Sequence, residues 1–198
     1  MRLETELKLD FDDVLIRPKR SVAPSRASVD LQRSHHFCNA SPTVGWTGTP
    51  IMASNIDTVG TMKMAQVLHE LNMLTCLHKF YPLEQLIDFF ANDPASGSAF
   101  YTLGIREEDF DKLKMFVEKA GDKARLVCVD AANGYTKFFV DRVKQVRELC
   151  PWAIILAGNV ATPEMVQELL IGGGADIVKV GVGPSSVSGQ RRRNARSG

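Results

Sequence analysis

Short apolar runs recur at nearly constant intervals through most of this 198-residue chain. Neighbouring runs begin about 22–28 residues apart, the length of one strand, a loop, one helix and a second loop. The segments between them have the three- and four-residue apolar spacing of amphipathic helices. Strands that alternate with helices pair in parallel through right-handed crossovers. The six runs begin at Ile51, Met73, Ala99, Leu126, Ile154 and Ile177.

Two architectures fit this repeat: an open doubly wound sheet and a (β/α)8 barrel. The junction over residues 51–60 has no Gly-x-Gly-x-x-Gly after its strand, which argues against a dinucleotide-binding doubly wound sheet. Polar residues follow the strands instead, and in a barrel those strand ends converge on one mouth. We therefore predict an α/β fold of the TIM (β/α)8 type, incomplete, with about six of its strands. The polar residues are Asn55, Asp57, His78, Lys79, Asp130 and Asn159.

The sequence predicts three regions. Residues 1–48 form an N-terminal arm with short strands that covers one end of the barrel, residues 49–187 form the partial barrel, and residues 188–198 form a divergent basic tail. A sheet of six strands leaves two open edges, which favour association or aggregation. Helices are predicted over residues 61–72, from Pro82 onward, and over residues 107–120, 135–149 and 162–170.

Composition excludes several classes of protein. Lys and Arg number 24 against 23 Asp and Glu, so no global field points to nucleic acid or a membrane surface. No secretory signal and no apolar run of about 20 residues is present. The cysteines show no Cys-x-x-Cys spacing, which indicates reduced thiols in a soluble, cytoplasmic protein. They are Cys38, Cys76, Cys128 and Cys150.

Three positions at the predicted mouth are candidates for chemistry. Lys79 either lies on the surface or pairs with a phosphate or carboxylate. Asp130 closes an apolar strand and therefore needs a partner, which the barrel places near Lys79; the alternative is a cap or turn residue. The turn at Gly181 either serves only to reverse the chain or lets the backbone approach a ligand closely. The pair His35 and His36, in the arm, is predicted to lie on the surface.

Several longer motifs together resemble GMP reductase, of the IMP dehydrogenase/GMP reductase family. The resemblance runs from about residue 7 to about residue 187. IMP dehydrogenases usually carry a regulatory insertion after the second barrel strand, whereas here Lys79 runs straight into the next helix, which favours the reductase. The motifs occupy residues 11–21, 53–61, 78–81, 130–135, 157–162 and 179–184.

The resemblance implies a homotetrameric cytosolic enzyme that converts GMP to IMP and ammonia with NADPH. In that family a Cys attacks purine C2, ammonia leaves, and hydride reduces the covalent intermediate. Lys79 and Asp130 match residues that handle the cofactor and protons, and Ser25 with Arg26 matches a pair that reaches a neighbouring subunit's cofactor. The implied cofactor-binding residues are Ser25, Arg26, Lys79, Asp130, Ala131, Ala132, Val182 and Gly183. The implied backbone ligands for a monovalent cation, K⁺, are Gly183, Ser185 and Ser188.

The last part of the Gly-rich loop departs from the family pattern. Ser188 occupies the place of the nucleophilic Cys, and a serine hydroxyl is a far weaker nucleophile unless a base activates it. Gln190 stands where the family has a proton-handling hydroxyl, and Ser185 replaces a glycine of the cation loop. These changes predict a C-terminally truncated GMP reductase-type chain that is inactive. Two alternatives remain open: a non-catalytic fragment or isoform that associates with full-length subunits, and an IMP dehydrogenase-like enzyme.

Overall fold

The strands and helices follow the repeat seen in the sequence. The computed structural model describes residue 9 and residues 13–182. The strands are β1 (Arg33–Phe37), β2 (Val44–Gly48), β3 (Met52–Ala53), β4 (Leu74–Cys76), β5 (Ala99–Leu103), β6 (Leu126–Asp130), β7 (Ile154–Val160) and β8 (Ile177–Val180). The helices are α1 (Met62–Glu70), α2 (Leu83–Asn92), α3 (Glu107–Ala120), α4 (Lys137–Leu149) and α5 (Pro163–Gln167). The chain divides into two compact units, residues 1–30 and residues 31–198.

Strands β3 to β8 form one six-stranded sheet in chain order, and every neighbouring pair is parallel. Each connection between consecutive strands contains a helix, so the predicted βα repeat is confirmed. The sheet is a curled half-barrel, as predicted for a TIM-type barrel with six of its strands. The antiparallel pair β1–β2 forms a separate hairpin.

Every predicted helix is present; α1 (predicted over 61–72) and α4 (predicted over 135–149) differ by one or two residues at their ends, and α2 and α5 differ as described below. The helix predicted over residues 107–120 has the same bounds as α3. Its start is well defined because three acidic residues of the first turn interact favourably with the positive end of the helix dipole. Pro82 precedes α2 as its N-cap, with an extended ψ of 149°. The prediction that Pro82 lies in the first turn of the helix is therefore wrong by one residue. The helix predicted to reach residue 170 is α-helical only to Gln167 and continues as a wider π-helical turn over Glu168–Gly172. No helix within residues 13–182 is long and apolar enough to cross a membrane.

Alternate residues of the strands point to opposite faces and form two apolar layers. The outer layer is packed under the helices and includes Phe116, Val129, Val143 and Ile155. The inner layer lines the curled side of the sheet and consists of Leu74, Cys76, Phe100, Leu126, Cys128, Ile154 and Leu156. Because both faces of the parallel strands are covered, the strand sequences are nearly continuous apolar runs.

The β1–β2 hairpin packs against the inner layer at the end where the strands begin. Phe37, Val44 and Trp46 contact that layer, and a cavity of about 500 Å³ lies between the hairpin and the sheet. The side chains of His35 and His36 are exposed, as predicted. The hairpin lies within the segment predicted as an arm with short strands, and the regional boundaries at residues 48 and 187 stay predictions.

A buried polar network ties the hairpin connection to this same end of the sheet. Asp176 accepts hydrogen bonds from Arg147 Nη2 at 2.5 Å, Ile155 N at 2.8 Å and Asn39 N at 3.3 Å. Arg147 also donates to backbone carbonyls, including that of Ala153 at 2.7 Å. The Asp176 side chain is only 1% exposed, so its charge depends on these partners.

We expect Asp176→Asn to lower the free energy of unfolding by about 3 kcal/mol, because breaking a buried ion pair leaves Arg147 without its counter-charge. Urea unfolding of the purified chain measures this as a lower midpoint with an unchanged slope. The matched control is Asp122→Asn, which removes an exposed carboxylate 3.9 Å from Arg125 and is expected to change little. Equal midpoints for the two variants would show that the network does not stabilise the fold.

All four cysteines are free, and they differ in exposure: Cys38 is exposed, whereas Cys76, Cys128 and Cys150 are buried. Burial raises the pKa of Cys150 to about 12, with nearby Arg147 opposing the shift. The Cys128 thiol and burial raise the pKa of Cys76 well above its ordinary value. The thiolate is the reactive form, so both side chains are unreactive at pH 8.

A thiol reagent such as Ellman's reagent at pH 8 should therefore modify one cysteine rapidly, Cys38, and the other three only after urea is added. Absorbance of the released thiolate gives the stoichiometry, and a Cys38→Ser variant should lose the rapid phase. Rapid reaction of two or more thiols in the folded chain would contradict the burial of the inner and outer layers.

Candidate active site

The centre of the candidate site is the ammonium group of Lys179, inside the curled sheet near the carboxyl ends of the strands. Its Nζ lies 2.6 Å from Asp130 Oδ1 and 2.9 Å from Asn55 Oδ1. Asp130 ends β6, Lys179 lies in β8, and Asn55 follows β3. A side chain from the loop after the first strand therefore meets one from the last strand in a single cluster, which the curl of the sheet makes possible.

Lys179 is mostly buried, with 23% of its side chain exposed, against 30% for Asp130. Burial by itself lowers the pKa of Lys179, but the neighbouring Cys128 and Asp130 outweigh burial and raise it above the ordinary lysine value. Lys179 thus stays charged at neutral pH, with its ammonium group in contact with the Asp130 side chain. Gly158 on β7 makes room for the lysine stem, since a Cβ there would lie 2.5 Å from that of Lys179.

The sequence correctly required a partner for Asp130 but assigned it to the wrong lysine. Asp130 pairs with Lys179, while Lys79 Nζ lies 3.4 Å from Asp109 Oδ2 in α3. Lys79 comes three residues after β4 has ended, so strand alternation no longer directs its side chain inward. Lys179 lies two residues after the inner-layer Ile177, and this alternation was the signal that could have identified it.

Backbone hydrogen bonds join the loop after β6 to the end of β7. Ala131 N donates to Gly158 O at 2.8 Å, Asn159 N donates to Ala131 O at 2.8 Å, and Gly134 N donates to Asn159 O at 3.0 Å. Ala131 is buried and the next residue, Ala132, is exposed. The buried Asn159 Oδ1 has no hydrogen-bond partner among the described residues, so it is an acceptor available to a ligand.

His78 lies beside Lys79 and stacks on Tyr81, with ring centroids 4.0 Å apart and planes 12° from parallel. Burial lowers the pKa of His78, while the Asp57 carboxylate acts in the opposite direction. Its buried Nδ1 is without a hydrogen-bond partner in the part of the chain that the structure describes. The neutral ring is the form that this environment favours.

The remaining predicted site residues lie in the first unit, after β8, or outside the described residues. Ser25 and Arg26 belong to the first unit, where the Ser25 hydroxyl accepts from Ala27 N at 3.3 Å and caps the turn Arg26–Ser28. Gly181 follows β8 with a φ of 136°, a conformation that favours glycine, and its N–H donates to Val160 O at 2.7 Å. Val182 is the last described residue. Gly183, Ser185 and Ser188 lie outside the described residues, and their roles stay predictions.

A model of the IMP dehydrogenase / GMP reductase domain matches residues 8–196. The chain belongs to this family. Proteins named GMP reductase from Yersinia pestis (strain Pestoides F) and Yersinia pseudotuberculosis serotype O:1b (strain IP 31758) are each 47% identical to it over 189 residues. The match covers 94% of this chain and 53% of each relative, so the chain spans about half the length of the curated relatives it matches.

A solved structure gives the same assignment for the fold. The crystal structure of inosine 5′-monophosphate dehydrogenase from Legionella pneumophila matches with a TM-score of 0.74 and 29% identity. The match covers 93% of this chain and 54% of that one. The six-stranded half-barrel is therefore the fold of this family's barrel, and the resemblance found in the sequence is confirmed.

We expect the Asp130–Lys179 pair to be energetically coupled by about 1–3 kcal/mol, because the two charges are close and largely removed from water. A double-mutant cycle with Asp130→Asn and Lys179→Met, measured by urea unfolding at pH 7, gives this coupling. The exposed pair Asp122 and Arg125 provides the control cycle, with a coupling below about 0.5 kcal/mol. Coupling no larger than that of the control would show that the central cluster is not a tight ion pair.

Proposed function

We propose that this chain carries the cofactor side of a GMP reductase-type site, in which NADPH reductively deaminates GMP to IMP and ammonia. The observation that carries the proposal is the meeting of Asp130, Lys179 and Asn55 near the carboxyl ends of the strands, because this end of a β/α barrel is where such folds place their chemistry. The 47% identity to proteins named GMP reductase supports the same reaction.

The described residues fit a dinucleotide cofactor by their chemistry. The Lys79 side chain is 35% exposed and offers ammonium donors to a phosphate or carbonyl oxygen. Asn159 Oδ1 is a buried acceptor without a partner in the described part of the chain, which suits a donor group such as a carboxamide. NADPH would supply the hydride when bound. We assign its binding to Lys79, Asp130, Ala131, Ala132, Val182 and Gly183, with Ser25 and Arg26 acting on the cofactor of a neighbouring copy.

The two lysines and Asp130 would divide the proton chemistry. Asp130 accepts a hydrogen bond from Lys179 through Oδ1, and its second carboxyl oxygen would orient a donor group of the ligand. Lys79 supplies ammonium protons and is the better candidate to deliver a proton to departing ammonia. Lys179 directs two of its three ammonium donors to Asp130 and Asn55, and its task would be to fix the position of Asp130.

The position of Ser188 leads us to propose that this chain does not turn over GMP. A serine hydroxyl attacks purine C2 far more slowly than a cysteine thiolate unless a base removes its proton. The proposed K⁺ ligands are the backbone carbonyls of Gly183, Ser185 and Ser188, in the same loop. By analogy with the family, we also propose that the protein is a homotetramer and is located in the cytoplasm.

A second candidate function is that of a non-catalytic subunit that associates with full-length family members. The exposed apolar side chains Ile171 and Val180, at the β8 side of the sheet, favour it. Co-purification with a full-length subunit would support this role, and a persistently separate chain would contradict it. An IMP dehydrogenase-like reaction is less favoured, because the solved dehydrogenase is 29% identical whereas the GMP reductases are 47% identical.

We expect the purified chain to bind NADPH without oxidising it when GMP is added. Binding is measured by the change in nicotinamide fluorescence, and turnover by the loss of absorbance near the nicotinamide maximum. Lys79→Ala and Asp130→Asn should each weaken NADPH binding by about tenfold, the effect of losing one charged contact.

Lys114→Ala is the control for these variants, because Lys114 is exposed and pairs with Asp111 on the outer surface of α3. Rapid NADPH oxidation by the unmodified chain would refute the proposed inactivity. Absence of NADPH binding, or equal binding by all the variants, would refute the cofactor site.

A further inference from the structure

Lys79 is held from one side by a neighbouring βα unit. Its ammonium group lies 3.4 Å from Asp109 Oδ2, while its backbone carbonyl accepts a hydrogen bond from Lys112 Nζ at 3.1 Å. Lys112 also donates to the carbonyl of Tyr81. Asp109 and Lys112 are three residues apart in α3 and therefore share one helix face. A single helix face thus holds both the head group and the backbone of Lys79.

The charged side chains on this face of α3 are arranged so that Asp109 can pair with Lys79. Burial lowers the pKa of Lys112, and the Asp109 carboxylate opposes the shift. Lys112 is committed to two backbone carbonyls, which leaves the carboxylate of Asp109 for Lys79. Asp109 is 20% exposed, so water screens this pair less than it screens a surface pair.

Gly104, directly after β5, leaves the space in which the two side chains meet. A Cβ at this position would overlap Asp109 Oδ2 and lie 3.0 Å from Lys79 Nζ. Gly104 matters here for the space that it leaves and not for its backbone conformation, because its φ is outside the left-handed region. An alanine would push apart the two groups that form the ion pair.

We propose that Asp109, Lys112 and Gly104 form a positioning unit for Lys79. The unit fixes where the ammonium group lies and leaves its remaining donors directed away from α3, available to an anionic or carbonyl oxygen of a ligand. Asp109 and Lys112 act through Lys79 and are not themselves in contact with the ligand. The functional part of this inference rests on the proposed cofactor site, whereas the restraint on Lys79 does not depend on it.

The test measures Lys79 directly, by its rate of reaction with acetic anhydride, followed by mass spectrometry of the digested chain with the exposed Lys63 as internal reference. Asp109→Asn keeps the size of the side chain and removes its charge, and we expect Lys79 to react about two- to fivefold faster, the effect of losing one partly exposed ion pair. Gly104→Ala should act in the same direction. Asp109→Glu should restore part of the slow reaction.

Two controls match these variants. Asp111→Asn changes an exposed carboxylate of the same helix, and Gly97→Ala adds a Cβ where nothing lies within 4 Å. Both should leave the Lys79 rate unchanged. An unchanged Lys79 rate in Asp109→Asn, in a chain with unaltered circular dichroism, would overturn the proposal even if Gly104→Ala fails to fold.

NADPH affinity separates this inference from the proposed function. Faster labelling of Lys79 together with weaker NADPH binding in Asp109→Asn supports both. Faster labelling with unchanged NADPH affinity overturns the positioning role while leaving the cofactor site intact. If the unmodified chain does not bind NADPH, the proposed function fails, and the labelling rates still decide whether α3 restrains Lys79.

Discussion

The candidate site is held together by the contact between Lys179 and Asp130. Their cluster with Asn55 depends on the curl of the parallel sheet. Asn55 lies in the loop after the first strand of the six-stranded sheet and Lys179 lies in the last strand, yet both belong to one cluster. The side chains that converge inside such a sheet must be apolar or paired, because an isolated charge there would have to give up its solvation. Lys179 satisfies this requirement by bonding to one carboxylate and one amide oxygen.

The two ends of the parallel strands differ in how completely their side chains are packed and hydrogen-bonded. Where the strands begin, the inner layer is apolar and the hairpin packs on it through Phe37, Val44 and Trp46. The charged network of Asp176 and Arg147 also lies at this end, but it is filled by protein partners and offers little to a ligand. Near the carboxyl ends, Asn159 and His78 keep buried polar atoms without partners among the described residues. The well-packed end is thus opposite the end with unpartnered buried polar atoms, which is the end that the proposed function uses.

The sequence predicted local structure better than side-chain partners, for a physical reason. Apolar spacing and an acidic first turn determine a helix such as α3 from its own residues, and parallel strands separated by helices follow from the repeat. The partner of Asp130 instead depends on which side chains the curl brings together across the sheet. Strand alternation could have placed Lys179 inside, since it follows Ile177 by two residues. The contact of Asp109 with Lys79 has no comparable signal in the sequence, because it joins a helix to a loop 30 residues away.

The two lysines of the site are therefore suited to different tasks. Lys179 is more deeply buried and two of its three donors bind protein oxygens, so moving it would separate Asp130 and Asn55 from their shared partner. Lys79 is more exposed and has one longer contact, to Asp109, with its backbone held by Lys112. A side chain that must bind a ligand or give up a proton needs free hydrogen-bond donors and a backbone that is held in place, and Lys79 has both. A group that holds a carboxyl side chain in place needs a short contact and little exposure, and Lys179 has both.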